Sequence, residues 1–172
     1  MAIIPDEKDW TWVLQRVCPE CGFNASDATP ATAATMIPAL LPRWQNALRG
    51  ANVEERSTPG KWSVLEYSAH VRDVFEVFIG RLELMLRDEN PTFADWDQDT
   101  AALDGGYSCL DPDEVAGELV QNGLDAAAAF AAVDEDQWER RGLRSNGAEF
   151  TVVTLAGYFL HDIFHHLHDI NA

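Results

Sequence analysis

Four of the five histidines of this 172-residue chain lie in one segment near its C-terminus. His161 and His165 are four residues apart, the spacing that lets two imidazoles on one helix face bind a single metal ion. At about 100° per residue, His168 falls on the same arc of that helix, whereas His166 points elsewhere. The spacing therefore predicts half of a metal site.

The fifth histidine, His70, lies in a different predicted helix and can supply a third ligand. Imidazoles in a buried seam between helices need a partner, because an unpaired polar group is costly to bury. We expect Asp73, Asp162 or Asp169 to hold the ring nitrogens that face away from the metal. The alternative is a solvated polar face, since the histidine arc lies opposite the most apolar positions of the last helix.

A second group with metal-ligand spacing stands near the N-terminus, where Cys18 and Cys21 enclose a Pro-Glu pair. A structural zinc site needs four ligands, and the sequence has no other Cys-x-x-Cys, so a self-contained zinc ribbon is excluded. Cys109 or a histidine can complete a mixed metal site. A redox pair and a plain turn at the end of the fold are the other interpretations.

The elements that must position these residues are four long helices. The hydrophobic pattern and its capping residues predict them at about residues 30–48, 63–87, 111–133 and 151–170. Pro38 and Pro42 predict a kink or a break in the first helix. The pattern predicts an all-α fold, a four-helix bundle with long crossover connections, and facing helices of such bundles commonly build metal sites in the core.

The segments between the helices carry less information. Residues 92–110 and 138–149 are predicted to be connections, with a tight turn at Ser145-Asn146-Gly147. Residues 10–17 fit either a short strand or a helical turn. We expect one domain over residues 1–172, in which residues 1–29 form an extension that carries the Cys-x-x-Cys pair.

Charge and hydropathy exclude several classes of partner. The net charge of −17 disfavours nucleic acid and anionic membranes. No apolar stretch approaches the length of about 20 residues that a membrane helix needs, and Met1–Lys8 lacks the pattern of a secretory leader. We therefore expect a cytoplasmic protein with a small-molecule substrate, and a homodimer remains an option.

Lys61-Trp62-Ser63, with Glu66 and His70, followed far downstream by the final His-x-x-x-His, resembles the DinB/YfiT-like superfamily. Members of that family are four-helix bundles with a three-histidine metal site. The Cys-Pro-Glu-Cys-Gly-Phe segment and the histidine-rich end further resemble a subgroup from high-GC bacteria. By this resemblance the metal ligands are His70, His161 and His165.

The resemblance also implies a reaction, because some members transfer low-molecular-weight thiols such as mycothiol or bacillithiol. Three neutral imidazoles leave coordination positions open, as in catalytic sites. Zinc is the expected divalent ion, with nickel or iron as alternatives, because histidine discriminates weakly among them. The extra His168 shares the ligand arc and can replace or join a ligand.

Three functions follow from these residues. A coordinated thiol loses its proton and becomes a nucleophile, which gives a thiol-dependent S-transferase. A coordinated water gives a metal-dependent hydrolase instead. The non-enzymatic alternative is a metal- or redox-responsive binding module in which Cys18 and Cys21 respond.

Overall fold

The computed structural model describes residues 9–172 of the chain, so the leader prediction for Met1–Lys8 lies outside the described residues. Its α-helices and strands, in chain order, are α1 (Pro30–Leu48), α2 (Val64–Arg87), β1 (Thr92–Phe93), α3 (Gln98–Asp104), α4 (Pro112–Ala131), β2 (Arg141–Arg144), β3 (Glu149–Thr151) and α5 (Val152–Asp169). Within residues 9–172, no helix combines the length and apolarity needed to cross a membrane.

The four long helices begin where their capping residues predict. Thr29, Ser63 and Thr151 each cap a helix and take part in a capping box, which satisfies backbone N–H groups of the first turn. The helix α1 continues through Pro38 and Pro42, so the predicted break does not occur. Tertiary packing keeps α1 helical at the two prolines, because the buried face of α1 packs along α4.

The arrangement of these helices confirms the four-helix bundle with crossover connections. Helices α1 and α2 each pack against both α4 and α5. Phe159 of α5 is at the centre, with ring centroids 4.7 Å from Phe78, 5.5 Å from Phe130 and 5.8 Å from Phe75. This packing fixes the rotation of α5 about its axis, and with it the direction in which its histidines point.

A small sheet corrects the prediction that residues 92–110 and 138–149 are irregular. Strand β1 pairs in parallel with β2, and β2 pairs antiparallel with β3. The predicted turn at residues 145–147 is confirmed, since Gly147 has a φ of 93° and its N–H donates to the carbonyl of Arg144 at 2.8 Å. The first connection also contains α3, and residues 10–14 form a 3-10 turn.

Glu66 joins the start of α2 to the preceding loop. Its carboxylate accepts the N–H of Ser63 at 2.9 Å and hydrogen bonds from the guanidinium of Arg56. Burial raises the pKa of Glu66, but the bonds from Arg56 and Ser63 outweigh it, so the pKa lies below its usual value. The charged form of Glu66 therefore stabilises the folded state at neutral pH.

Glu66→Gln is expected to lower the free energy of unfolding by about 1 kcal/mol at neutral pH. Because the pKa is lowered on folding, this stabilisation is lost as the pH falls through the lowered pKa, and the variant and the wild type should converge below it. Urea unfolding across this pH range measures the difference. Glu83→Gln, at an exposed position of the same helix, is the control, and a pH-independent loss in Glu66→Gln would contradict the prediction.

Candidate metal centre

Helix α5 carries two pairs of potential metal ligands, and each pair has i, i+4 spacing. His161 and His165 form the first pair, and Asp162 and His166 form the second, one residue further along. A shift of one residue turns the second pair by about 100° around the helix axis. The two pairs therefore face different neighbours, while Phe159 and the apolar side of α5 stay in the core.

His70 of α2 meets the second pair. One ligand atom from each of His70, Asp162 and His166 lies within 4.8 Å of the others. Nε2 of His70 is 3.6 Å from Oδ1 of Asp162, and Nε2 of His166 is 3.7 Å from the same oxygen. Donors bound to one tetrahedral ion at about 2.1 Å are about 3.4 Å apart. The separations therefore fit a shared divalent cation.

Buried atoms of this group lack hydrogen-bond partners among the described residues. They are both ring nitrogens of His70 and Oδ1 of Asp162. The His70 ring is held between two tryptophans, with centroid distances of 5.2 Å to Trp62 and 5.3 Å to Trp96. Since unpartnered polar atoms are costly to bury, a cation that accepts Nε2 and Oδ1 as ligands removes most of that cost.

The surrounding charges prepare these side chains to bind a metal. Burial raises the pKa of Asp162, but His166 and His70 outweigh it and lower the pKa to about 2. Burial lowers the pKa of His70, which keeps its imidazole neutral. Nδ1 of His166 is 2.9 Å from Oδ2 of Asp169, and a carboxylate only accepts, so Nδ1 donates to Asp169 and Nε2 is the ring nitrogen left to bind a metal.

The first pair on α5 meets the N-terminal segment instead. Cys18, Cys21, His161 and His165 each offer one ligand atom, all within 4.8 Å of one another. Sγ of Cys18 lies 3.7 Å from Nδ1 of His165. Burial lowers the pKa of both histidines, that of His161 to about 4. Three of these four residues are buried, and Cys21 is half-buried.

The histidines predicted as one ligand set are thus divided between two groups. No group in the described part of the chain contains His70 together with His161 and His165. His166, which the helical wheel set apart, has its ring centroid 4.8 Å from that of His70. His168 is exposed and belongs to neither group.

The aspartates and the third cysteine also have defined places. Asp162, predicted as an outer partner, is itself a potential ligand, and Asp169 holds His166. Asp73 accepts hydrogen bonds from Tyr107 and Arg72 and is in neither group. Cys109 is exposed and belongs to neither ligand group. The i, i+4 spacing of Asp162 and His166 is the sequence signal for this group, and it is missed when only pairs of histidines are considered.

The group around His70 lines a cavity of about 740 Å³, a usual size for a small-molecule site. Arg81 and Arg144 lie in the same wall. Arg81 is buried, its hydrogen bond goes to the carbonyl of Ala94 at 3.5 Å, and no carboxylate among the described residues forms an ion pair with it. A buried cation without a carboxylate partner favours an anionic ligand.

Comparisons with known proteins agree with this fold. A solved structure, YfiT from Bacillus subtilis, described as a probable metal-dependent hydrolase with an unusual four-helix bundle topology, aligns with a TM-score of 0.68 at 17% identity. The alignment covers 97% of this chain and 89% of that one, and at this identity it shows the fold alone. No curated protein matches the chain. The family model described as DinB superfamily matches residues 27–170, so the chain belongs to the DinB superfamily.

Proposed function

We propose that this chain is a metal-dependent hydrolase whose divalent cation is held by His70, Asp162 and His166. The observation that supports this function best is the set of buried, unpartnered donor atoms at the edge of a substrate-sized cavity. Two imidazoles and one carboxylate are a ligand set found in catalytic zinc sites. Zinc is the first candidate, with nickel and iron as alternatives.

Three protein donors leave coordination positions open toward the cavity. A divalent cation there lowers the pKa of a coordinated water and polarises a carbonyl or phosphoryl oxygen. The protein's own contribution is to hold the three donors in place. The stacked ring of Trp96 and the tilted ring of Trp62 orient His70, and the hydrogen bond to Asp169 orients His166.

Arg81 and Arg144, which line the same cavity as the ligands, supply positive charge for substrate binding. Arg81 lies over the rings of Phe78 and Phe93, 5.0 and 5.1 Å from their centroids, which holds its guanidinium in place. Tyr158 also lines the cavity, where burial raises its pKa and keeps its hydroxyl protonated. The guanidinium of Arg81 and the phenol of Tyr158 can bind the anionic group of a small substrate and stabilise an oxyanion that develops during reaction. Arg144, whose Nε is 3.6 Å from Oδ1 of Asp95, adds further positive charge.

Transfer of a low-molecular-weight thiol is the second candidate. It uses the same ligands, because a coordinated thiol loses its proton as a coordinated water does. The cavity volume of about 740 Å³ favours this candidate because it admits a thiol together with a second small molecule.

The test measures turnover by the full chain, stripped with a chelator and reloaded with zinc, nickel or iron. Substrates are anionic amides, esters and phosphate esters, each with and without a low-molecular-weight thiol. We expect metal-dependent hydrolysis that needs no thiol; turnover only with thiol would select the transferase. Arg144→Gln should raise KM for anionic substrates with the metal content unchanged. Turnover that persists after complete removal of metal, or a loaded protein that turns over none of them, would overturn the enzyme assignment.

A further inference from the structure

The Cys-x-x-Cys segment and the first histidine pair of α5 form a second group of donors beside the ligands assigned to catalysis. We propose that Cys18, Cys21, His161 and His165 bind a second metal ion, a structural zinc that fastens the N-terminal segment to α5. This assignment does not depend on the proposed function. It rests on the geometry of the turn, the orientation of the imidazoles and the number of donors in the group.

The turn that follows Cys18 places both sulfurs on one side. The N–H of Cys18 donates to the carbonyl of Phe23 at 2.9 Å, and the N–H of Gly22 donates to the carbonyl of Cys18 at 2.9 Å. Gly22 has a φ of 76°, a conformation that favours glycine. Both cysteines are free thiols rather than a disulfide. The turn thus presents two sulfurs as one rigid pair of donors.

The imidazoles present the matching nitrogens. Nδ1 of His165 faces Cys18, whereas its Nε2 lies 3.6 Å from a carboxylate oxygen of Glu20. A carboxylate beside Nε2 favours a proton there, which leaves Nδ1 free as a ligand. His161 is 4% exposed, and its Nε2 is buried without a partner among the described residues. A metal ion would give this buried nitrogen the partner that it lacks.

The group offers four protein donors, which distinguishes it from the three-donor group around His70, although His161 and His165 also line the cavity. Aromatic rings cover the imidazoles: the centroid of Trp10 is 4.9 Å from His165 and 5.6 Å from His161, and that of Phe23 is 6.4 Å from His161. Two sulfurs and two nitrogens complete a tetrahedral set and leave no position for a substrate. Such a donor set selects zinc among the common divalent ions.

The position of this site explains why the two ligand pairs alternate along the sequence of α5. His161 and His165 fasten the N-terminal segment, and Asp162 and His166, one residue further along, hold the proposed catalytic ion; all four side chains line the cavity. Trp10 and Glu20, held in place by the first group, both line that cavity. The structural zinc would therefore also build one wall of the proposed catalytic site.

The test is metal content together with the absorption spectrum of the cobalt-substituted protein. Wild-type chain should bind two ions, and cobalt should give the near-ultraviolet band of thiolate ligation. Cys21→Ser should lose that band and one ion, because Cys21 supplies one of the two sulfurs. Cys109→Ser, which removes an exposed cysteine, is the control and should keep both ions and the band.

Other outcomes separate this proposal from the proposed function. His70→Ala should lose one ion and keep the thiolate band, so failure of the catalytic site leaves the second site measurable. Because Cys18 is buried and its variant can fail to fold, Cys21→Ser with an unchanged far-ultraviolet circular dichroism spectrum is the decisive variant. Cobalt protein without the thiolate band, or a Cys18–Cys21 disulfide found by mass spectrometry in protein purified without oxidant, would overturn the proposal.

Discussion

His166→Ala is expected to lower kcat/KM by more than about 100-fold, whereas His168→Ala leaves it unchanged. Loss of an outer partner of a metal ligand already costs about 10–100-fold, and His166 is proposed as a ligand itself. Without it, His70 and Asp162 would hold the cation with two donors, and the carboxylate would lose a histidine that lowers its pKa. His168 is exposed on the same helix and offers no ligand atom to either group, although its ring centroid is 6.2 Å from that of His165.

Metal content measured beside activity distinguishes the two possible ligand sets. His166→Ala should lose one ion and keep the thiolate-to-cobalt band, because the group with Cys18 and Cys21 remains. If instead His166→Ala retained both metal and activity, and His161→Ala lost the catalytic ion, the ligands would be His70, His161 and His165, as the family pattern implies. The same two variants therefore decide between the contacts observed and the ligand set expected from sequence.

The long helices could be read from the sequence because their signals are local. Ser63 and Glu66 define the start of α2 within one turn, and an apolar stripe with a period of 3.6 residues defines its length. The sheet could not be read in this way. Strand β1 has two residues, and its partner β2 lies about fifty residues further along the chain, so neither shows an alternating pattern. Helix α3 buries no residue and so has no apolar stripe.

The sequence identified α5 as the helix that carries the potential metal ligands, but not which of these residues lie together. A helical wheel gives the angle between His161 and Asp162, yet the direction each faces depends on how α5 is rotated in the bundle. Packing of Phe159 against three other phenylalanines sets that rotation. The position of Cys18 also depends on long-range packing, because its segment reaches α5 from the far end of the chain.

Two neighbouring ligand groups on one helix have a physical consequence. The ligands of one group alternate with those of the other along residues 161–166, so a rotation of α5 that improves one group distorts the other. The helix must therefore be held in one orientation by contacts outside both groups. The close approach of the N-terminal segment to Gly157 is such a contact.

Gly157→Ala is expected to lower the free energy of unfolding by about 2 kcal/mol. A Cβ atom at Gly157 would lie 2.4 Å from the backbone carbonyl oxygen of Ala25, and no side-chain rotation can relieve that contact. Either α5 or the turn at Ala25–Asp27 has to move. The same movement would pull Cys21 away from His161, so we also expect weaker metal binding at the site with two cysteines.

Gly117→Ala is the matched control, because Gly117 is also a helical glycine and a Cβ atom there meets nothing within 4 Å. Alanine has the higher helix propensity, so this variant should gain about 0.5–1 kcal/mol. Urea unfolding followed by circular dichroism measures both variants, with metal bound and after chelation. A clash between backbone and Cβ persists without metal, so Gly157→Ala should remain destabilised in the chelated protein. A Gly157→Ala protein as stable as the wild type in both states would show that α5 is not seated against Ala25.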